Sequence, residues 1–285
     1  KVMDTCLKKA DWSGISARKA QSQAKGRLRG IGMCYYIEST MGDPTEHAAI
    51  EFTEEGVVNV LVGTQTNGQG HDTAYAQVLH QRLNVPFESI RIVQGDTDRI
   101  RAGGGTGGSR SLTAQGMAIT DASALVIERG KLFAAQLFET AAADIQFQEG
   151  TFRVAGTDRS VEIMELAGKA RAMAPSLGME GGLDAAATTN LSAWTFPNGC
   201  HIAEVEVDPD TGTVEIVDYN VVDDFGVVLN PLLVEGQVHG GIVQGIGQAL
   251  LEGAVYDDSG QLLTGSFMDY TMPRADNMPS FDFST

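Results

Sequence analysis

Gly63-Thr-Gln-Thr-Asn-Gly-Gln-Gly-His-Asp72 holds three glycines and no apolar side chain, between a hydrophobic run (Val57 to Val62) and a stretch of helical periodicity. Such a segment cannot enter a core, so it must form a loop at the mouth of a strand. Two more segments share its character: Gly103-Gly-Gly-Thr-Gly-Gly-Ser-Arg-Ser111 and Gly236-Gln-Val-His-Gly-Gly-Ile-Val-Gln-Gly-Ile-Gly-Gln248. Glycines let a backbone approach a ligand closely, while amides and hydroxyls give directional hydrogen bonds. The three segments read as one site for a large, polar, phosphate-bearing cofactor, with no self-sufficient catalytic triad among them. Glycine accounts for 34 of 285 residues, above the usual ~7%. Its clustering in these segments marks tight loops and not a flexible linker.

The length allows a sizeable core and two subdomains. A net charge of −17 argues against nucleic acid or an anionic membrane surface as partner. Phosphate must then be held by backbone N–H groups and a few arginines. Cys6, Cys34 and Cys200 are far apart and form no C-x-x-C, which disfavours a disulfide framework, a zinc ribbon or a resident iron–sulfur cluster. A reducing cytoplasm is the expected location, and no apolar run reaches membrane-spanning length. Neither Lys1 nor the strand-like Phe281-Asp-Phe-Ser-Thr285 reads as a natural terminus, so the expectation is a fragment, one piece of a split subunit, or a chain that continues past these ends.

Residues 1–29 carry 8 of the 20 basic residues and read as a solvated helical lead-in. Gly32 to Thr40 suits a buried strand. Ala48 to Phe52 and Val57 to Val62 read as a hairpin turning at Gly56. Asp72 to about Asn84 reads as a helix, with Tyr75, Val78, Leu79 and Leu83 at helical spacing and Pro86 beyond it. Ile90 to Val93 is a short strand, and Ser111 to about Phe147 a long helical region with a potential break at Gly130. A hairpin at 151–154 and a helix near 161–172 follow.

The small-residue run 174–189 reads as a connection between a first subdomain (30–173) and a second (190–285). Ile202 to Val207, the Asp208–Gly212 turn, Val214 to Val222, a polar loop and a helix opening near Gln237 repeat the order of residues 48–84. The fold class expected is therefore α+β, with two related subdomains of β-hairpins or mixed sheet with helices, able to place Gln69 and Gln237 on opposite sides of a crevice.

Asn67-Gly-Gln-Gly-His71 precedes a helix N-terminus, where free N–H groups and the helix dipole favour an anion. Gly103 to Ser111 would cradle phosphate, but no Lys-Ser or Lys-Thr completes a P-loop. Gly103-x-Gly105-x-x-Gly108 matches a dinucleotide fingerprint, although the polar run Gln94 to Arg101 separates it from the preceding strand. A nucleotide-binding dehydrogenase is thus one competing function; a cofactor-free assembly module packed through its glycine helices is another. His47, His71, His80, His201 and His239 have no short metal spacing. Asp96, Asp98, Asp223 and Asp224 read as solvated turn carboxylates.

From about Gly30 to Tyr270 the sequence resembles the molybdenum hydroxylases (xanthine dehydrogenase, aldehyde oxidoreductase, aerobic carbon monoxide dehydrogenase), specifically the C-terminal part of the molybdopterin-binding subunit. Asn67-Gly-Gln-Gly-His71 is similar to the family's pterin loop. Gly107-Gly-Ser-Arg-Ser111 with Gln115-Gly116 is similar to its second cofactor loop, and Leu229-Asn-Pro with Val234-Glu-Gly-Gln-Val-His-Gly-Gly241 and Gln244-Gly-Ile-Gly-Gln248 to its third.

The resemblance implies molybdopterin with molybdenum, in some members as the cytosine dinucleotide, with no direct protein ligand to the metal. It assigns cofactor binding to Gly68, Gln69, Gly70, His71, Gly107, Gly108, Ser109, Arg110, Ser111, Gln115 and Gln237. Gln69 would lie near the molybdenum's oxo group or the pterin, Ser109, Arg110 and Ser111 at the phosphate or dinucleotide, and Gln237 at the pterin. The implied reaction inserts water-derived oxygen into an aldehyde, N-heterocycle, purine or carbon monoxide. Iron–sulfur clusters and FAD are implied on partner chains or domains. The family's catalytic glutamate, in a Gly-x-Gly-Glu motif, has no counterpart before Thr285; it is expected in a remaining part of the subunit.

Overall fold

The computed structural model describes residues 1–40 and 42–285. The helices are α1 (Val2–Lys9), α2 (Ile15–Gln23), α3 (His71–Leu83), α4 (Gly116–Leu137), α5 (Ile163–Met173) and α6 (Pro231–Leu250). The strands are β1 (Leu28–Ile37), β2 (Thr45–Phe52), β3 (Val58–Val62), β4 (Ile90–Val93), β5 (Ile145–Gln148), β6 (Thr151–Val154), β7 (Ser160–Glu162), β8 (Ala185–Asn190), β9 (Asn198–Val207), β10 (Val214–Asp224) and β11 (Asp282–Ser284).

The chain divides into two compact units, one of residues 40–195 and one of residues 1–39 with 196–285. This differs from the boundary expected at 174–189. That run holds a short 3-10 turn and then β8, which pairs antiparallel with β2 from Ala185↔Ile50 to Asn190↔Thr45. β1, expected in the first subdomain, pairs instead with β9 along its whole length, from Leu28↔Val207 to Ile37↔Asn198.

In the 40–195 unit the sheet order is β4-β3-β2-β8. β2 alternates strictly between core and surface, as expected of a strand with one face buried. β3 is buried on both faces. Its central position and the parallel β4 across a helical crossover explain its continuous apolar run. Tyr75, Leu79 and Leu83 of α3 and Ala118, Ile119, Ala122, Val126 and Phe133 of α4 complete the core.

Helix α4 runs unbroken through Gly130. A Cβ there would collide with the Phe152 ring, so the glycine admits β6 against the helix. The helix stops at Leu137, earlier than the expected Phe147, because residues 145–148 are committed to pairing with β6.

In the other unit the order is β1-β9-β10-β11, with antiparallel, antiparallel and parallel pairs. Cys6 and Ala10 of α1 pack on Cys200, Ile202 and Val222. Ile242 and Ile246 of α6 pack on Val221. Helix α6 begins six residues before Gln237: the Asn230 side chain accepts from the Leu233 N–H at 3.1 Å and Pro231 occupies the first turn, a strong start signal.

A third, three-stranded sheet (β5-β6-β7) belongs to the 40–195 unit, and the two four-stranded sheets match in topology. In each, a hairpin is followed by a helix and then by a strand parallel to the second hairpin strand. An antiparallel strand flanks the first hairpin strand (β8 on β2, β1 on β9). The related subdomains expected from the repeat are present as two mixed sheets with helices.

Candidate cofactor site

In the 40–195 unit, the loops at 63–70 and 94–110 meet backbone to backbone. A Cβ on Gly63 or Gly103 would run into the other's Cα, so this crossing requires glycine at both positions. Thr106 pins the loops together: its hydroxyl accepts the Gln65 N–H at 2.9 Å and donates to the Gln65 carbonyl. Gln94 accepts the Thr66 N–H at 2.9 Å through its amide oxygen.

Beneath the crossing lies a buried ion pair. Arg110 Nη1 meets Glu46 Oε2 at 2.9 Å, with side-chain exposures of 3% and 0%. Arg110 also donates to the Gly105 and Thr45 carbonyls, both at 2.8 Å, and Glu46 Oε2 accepts the Gly104 N–H. Arg110, expected at a phosphate, therefore spends its charge inward on Glu46. Gln115 is likewise fully buried. Its amide oxygen accepts the Gly63 and Thr64 N–H groups, and its Nε2 donates to the His47 carbonyl at 2.9 Å. Both side chains frame the loops from below.

Glu46 escaped the sequence reading, yet a signal was present. It occupies the core phase of β2 with Ala48, Ile50 and Phe52, where a carboxylate demands a buried cation.

Gln69 folds back into its own loop. Its oxygen accepts from the Thr66 hydroxyl and the Asn67 N–H, so its amide NH2 faces His71 Nε2 at 3.0 Å. Burial lowers the His71 pKa, and the ring lies against Tyr75 with centroids 4.7 Å apart. In the neutral ring Nε2 accepts and Nδ1 carries the proton. That Nδ1 is buried and makes no close hydrogen bond among the described residues, although the Gln94 side chain interacts with the ring. Tyr75 meets the Thr64 hydroxyl at 2.7 Å, and burial pushes its own pKa up to about 12.

What faces outward is mostly backbone: Asn67 and Gly68 in the first loop, and Gly107, Gly108 and Ser109 in the second. Gly68, Gly70, Gly105, Gly108 and Ser109 all have left-handed φ. Ser111 is half-buried at the entry to α4. Such loops at helix N-termini offer N–H groups, hydroxyls and amides to an anionic ligand. Gln237 belongs to the other unit, exposed in the second turn of α6 and not at its N-terminus. The dinucleotide fingerprint lacks its setting, because β4 ends at Val93, ahead of a long irregular loop.

The chain matches the molybdopterin cofactor-binding domain model over residues 5–279 and belongs to that family of the molybdenum hydroxylases. It is 34% identical to the gamma subunit of the 6-hydroxypseudooxynicotine dehydrogenase complex of Paenarthrobacter nicotinovorans, covering 99% of this chain and 36% of that protein. To the carbon monoxide dehydrogenase large chain of Afipia carboxidovorans it is 31% identical, covering 97% and 37%. Quinoline 2-oxidoreductase from Pseudomonas putida 86 superposes with a TM-score of 0.87 at 32% identity, covering 99% of this chain and 38% of that one. The chain thus spans little more than a third of the length of these relatives.

Proposed function

We propose that this chain forms the pterin- and phosphate-holding part of a molybdenum hydroxylase. The observation that carries this reading is the glycine crossing at Gly63 and Gly103 over the Glu46–Arg110 pair. A rigid, internally neutralised base there turns the loop backbone outward, which suits a bulky anionic cofactor that brings its own ligand for the metal. In this reading Gly68, Gly70, Gly107, Gly108, Ser109 and Ser111 contact the cofactor through N–H and hydroxyl groups. The Gln69 amide supplies donors at the pterin end with His71 beside it, and Gln237 a further amide. Arg110 and Gln115 act at one remove by holding the loops. Gln69 would stand near the molybdenum, with no side chain of this chain bonded to it.

When bound, molybdopterin supplies the metal at which water-derived oxygen enters an aldehyde or electron-poor heterocycle. The residues of this chain orient the cofactor and desolvate its polar edge. The catalytic base, the iron–sulfur clusters and the flavin are assigned to other parts of a cytoplasmic multi-subunit enzyme, and the cytosine dinucleotide is the cofactor form in view. The test is Gln69→Ala with Gln237→Ala in the assembled enzyme, reading molybdenum by elemental analysis and pterin by fluorescence after acid oxidation. Loss of about two hydrogen bonds should lower occupancy at least ~tenfold at limiting cofactor, with the unfolding temperature unchanged. Full loading would refute these roles.

A further inference from the structure

The unit of residues 1–39 and 196–285 holds a polar chain beneath α6 that the cofactor reading leaves unused. Asp223, expected as a solvated turn carboxylate, has a side chain only 1% exposed. Its Oδ1 accepts the Tyr36 hydroxyl at 3.0 Å and faces His201 Nε2 at 3.3 Å. His201 Nδ1 lies 3.2 Å from the Tyr219 hydroxyl. Gly199 stands opposite both Tyr36 and Asp223 in the ladder, and a Cβ there would collide with the Asp223 carboxylate. The backbone is thus shaped around this group.

The hydrogen-bond directions follow from the carboxylate, which can only accept. His201 Nε2 carries the proton toward Asp223, so in the neutral ring Nδ1 accepts and Tyr219 donates to it. The Tyr219 oxygen then keeps acceptor capacity and has no second proton to give.

An open cleft of about 320 Å³ lies on this side of the sheet, lined by His201 and Tyr219 and, from α6, by Gly241, Ile242, Gly245, Ile246 and Ala249. A Cβ added to Gly241 or Gly245 would meet nothing within 4 Å, so the two glycines border open space. The lining therefore combines two isoleucines, small α6 residues and the His201 and Tyr219 side chains, at a size within the range of small-molecule pockets. We propose that this cleft binds a flat aromatic molecule bearing one O–H or N–H donor. The ring lies between the α6 glycine face and the His201 and Tyr219 rings, in offset or edge contact, and the donor points at the Tyr219 oxygen. A ligand offering only acceptors meets lone pairs there and is rejected.

The probes are 2-naphthol and its methyl ether, titrated by calorimetry into the assembled enzyme that contains this chain. The expected result is saturable one-to-one binding of 2-naphthol, with the ether at least ~tenfold weaker. Gly245→Leu, which fills the open space, should abolish binding while the unfolding temperature holds. Tyr219→Phe should bind both probes equally. No saturable binding of 2-naphthol, equal affinity of the two probes for the unaltered chain, or undiminished binding to folded Gly245→Leu would each overturn the proposal. If Gly245→Leu does not fold, the Tyr219→Phe comparison decides: a preference for 2-naphthol that survives the loss of the hydroxyl overturns it.

Discussion

Glu46 and Arg110 carry more of the candidate cofactor site than any residue that faces outward from it. Breaking a buried pair by removing one partner leaves an uncompensated charge, which costs about 3–5 kcal/mol. Glu46→Ala should therefore lose about that much in urea unfolding, while Glu46→Met combined with Arg110→Met should recover most of it. The double variant still removes the acceptor for the Gly104 N–H and the donor to the Gly105 carbonyl. Its 94–110 loop should show faster amide exchange than in the parent. The cysteines give a second residue-scale prediction. Burial raises the Cys6 pKa to about 12 and also raises that of Cys200, whereas Cys34 is exposed. A thiol-specific disulfide reagent at mildly alkaline pH should modify Cys34 alone in the native chain and all three cysteines after denaturation, as thiolate character and access dictate.

Among the elements, α4 and α6 separate what the sequence carries from what only packing decides. The apolar spacing of α3 and the glycine turn between β2 and β3 were readable because local chemistry specifies them. The start of α6 was also written locally, in Asn230-Pro231, but the glycine-rich run beyond drew attention away from it. The function of Gly130 was not legible: a glycine in a helix looks like a weak point until Phe152, from a different strand, is seen to occupy the missing side chain's place. Gly130→Ala should accordingly destabilise the protein by about 1–3 kcal/mol through overpacking, against a helix-propensity gain of about 1 kcal/mol. Guanidinium denaturation would read the sign, and net stabilisation would contradict the packing. The long pairing of β1 with β9 was invisible for a similar reason, since nothing within residues 28–37 names a partner so distant in sequence. The glycine-rich loops were recognisable as loops, yet the inward turn of Arg110 and Gln115 depends on Glu46 and on the backbone groups of β2.

For the whole molecule, the ionisable groups fix how stability varies with pH. Burial raises Cys6 from 9.0 to about 12 and Tyr75 and Tyr219 from 10.0 to about 12. Above pH 9 the unfolded chain sheds protons that the native state retains, so unfolding is favoured as pH rises. The melting temperature should fall steadily between pH 9 and 12, and Tyr75→Phe should flatten part of that decline. On the acid side, burial works to raise Glu204, but hydrogen bonds from Arg18 and Arg29 outweigh it and hold the carboxyl below 4.5. Its contribution is present above that value and is lost as pH falls further. The division of the chain also sets an order in time. Residues 40–195 are contiguous and can complete their sheet as soon as they leave the ribosome, whereas β1 must wait for β9. Until then both edges of this ten-residue stretch lack a partner, so the interval of synthesis is a time when it is open to pairing with other chains.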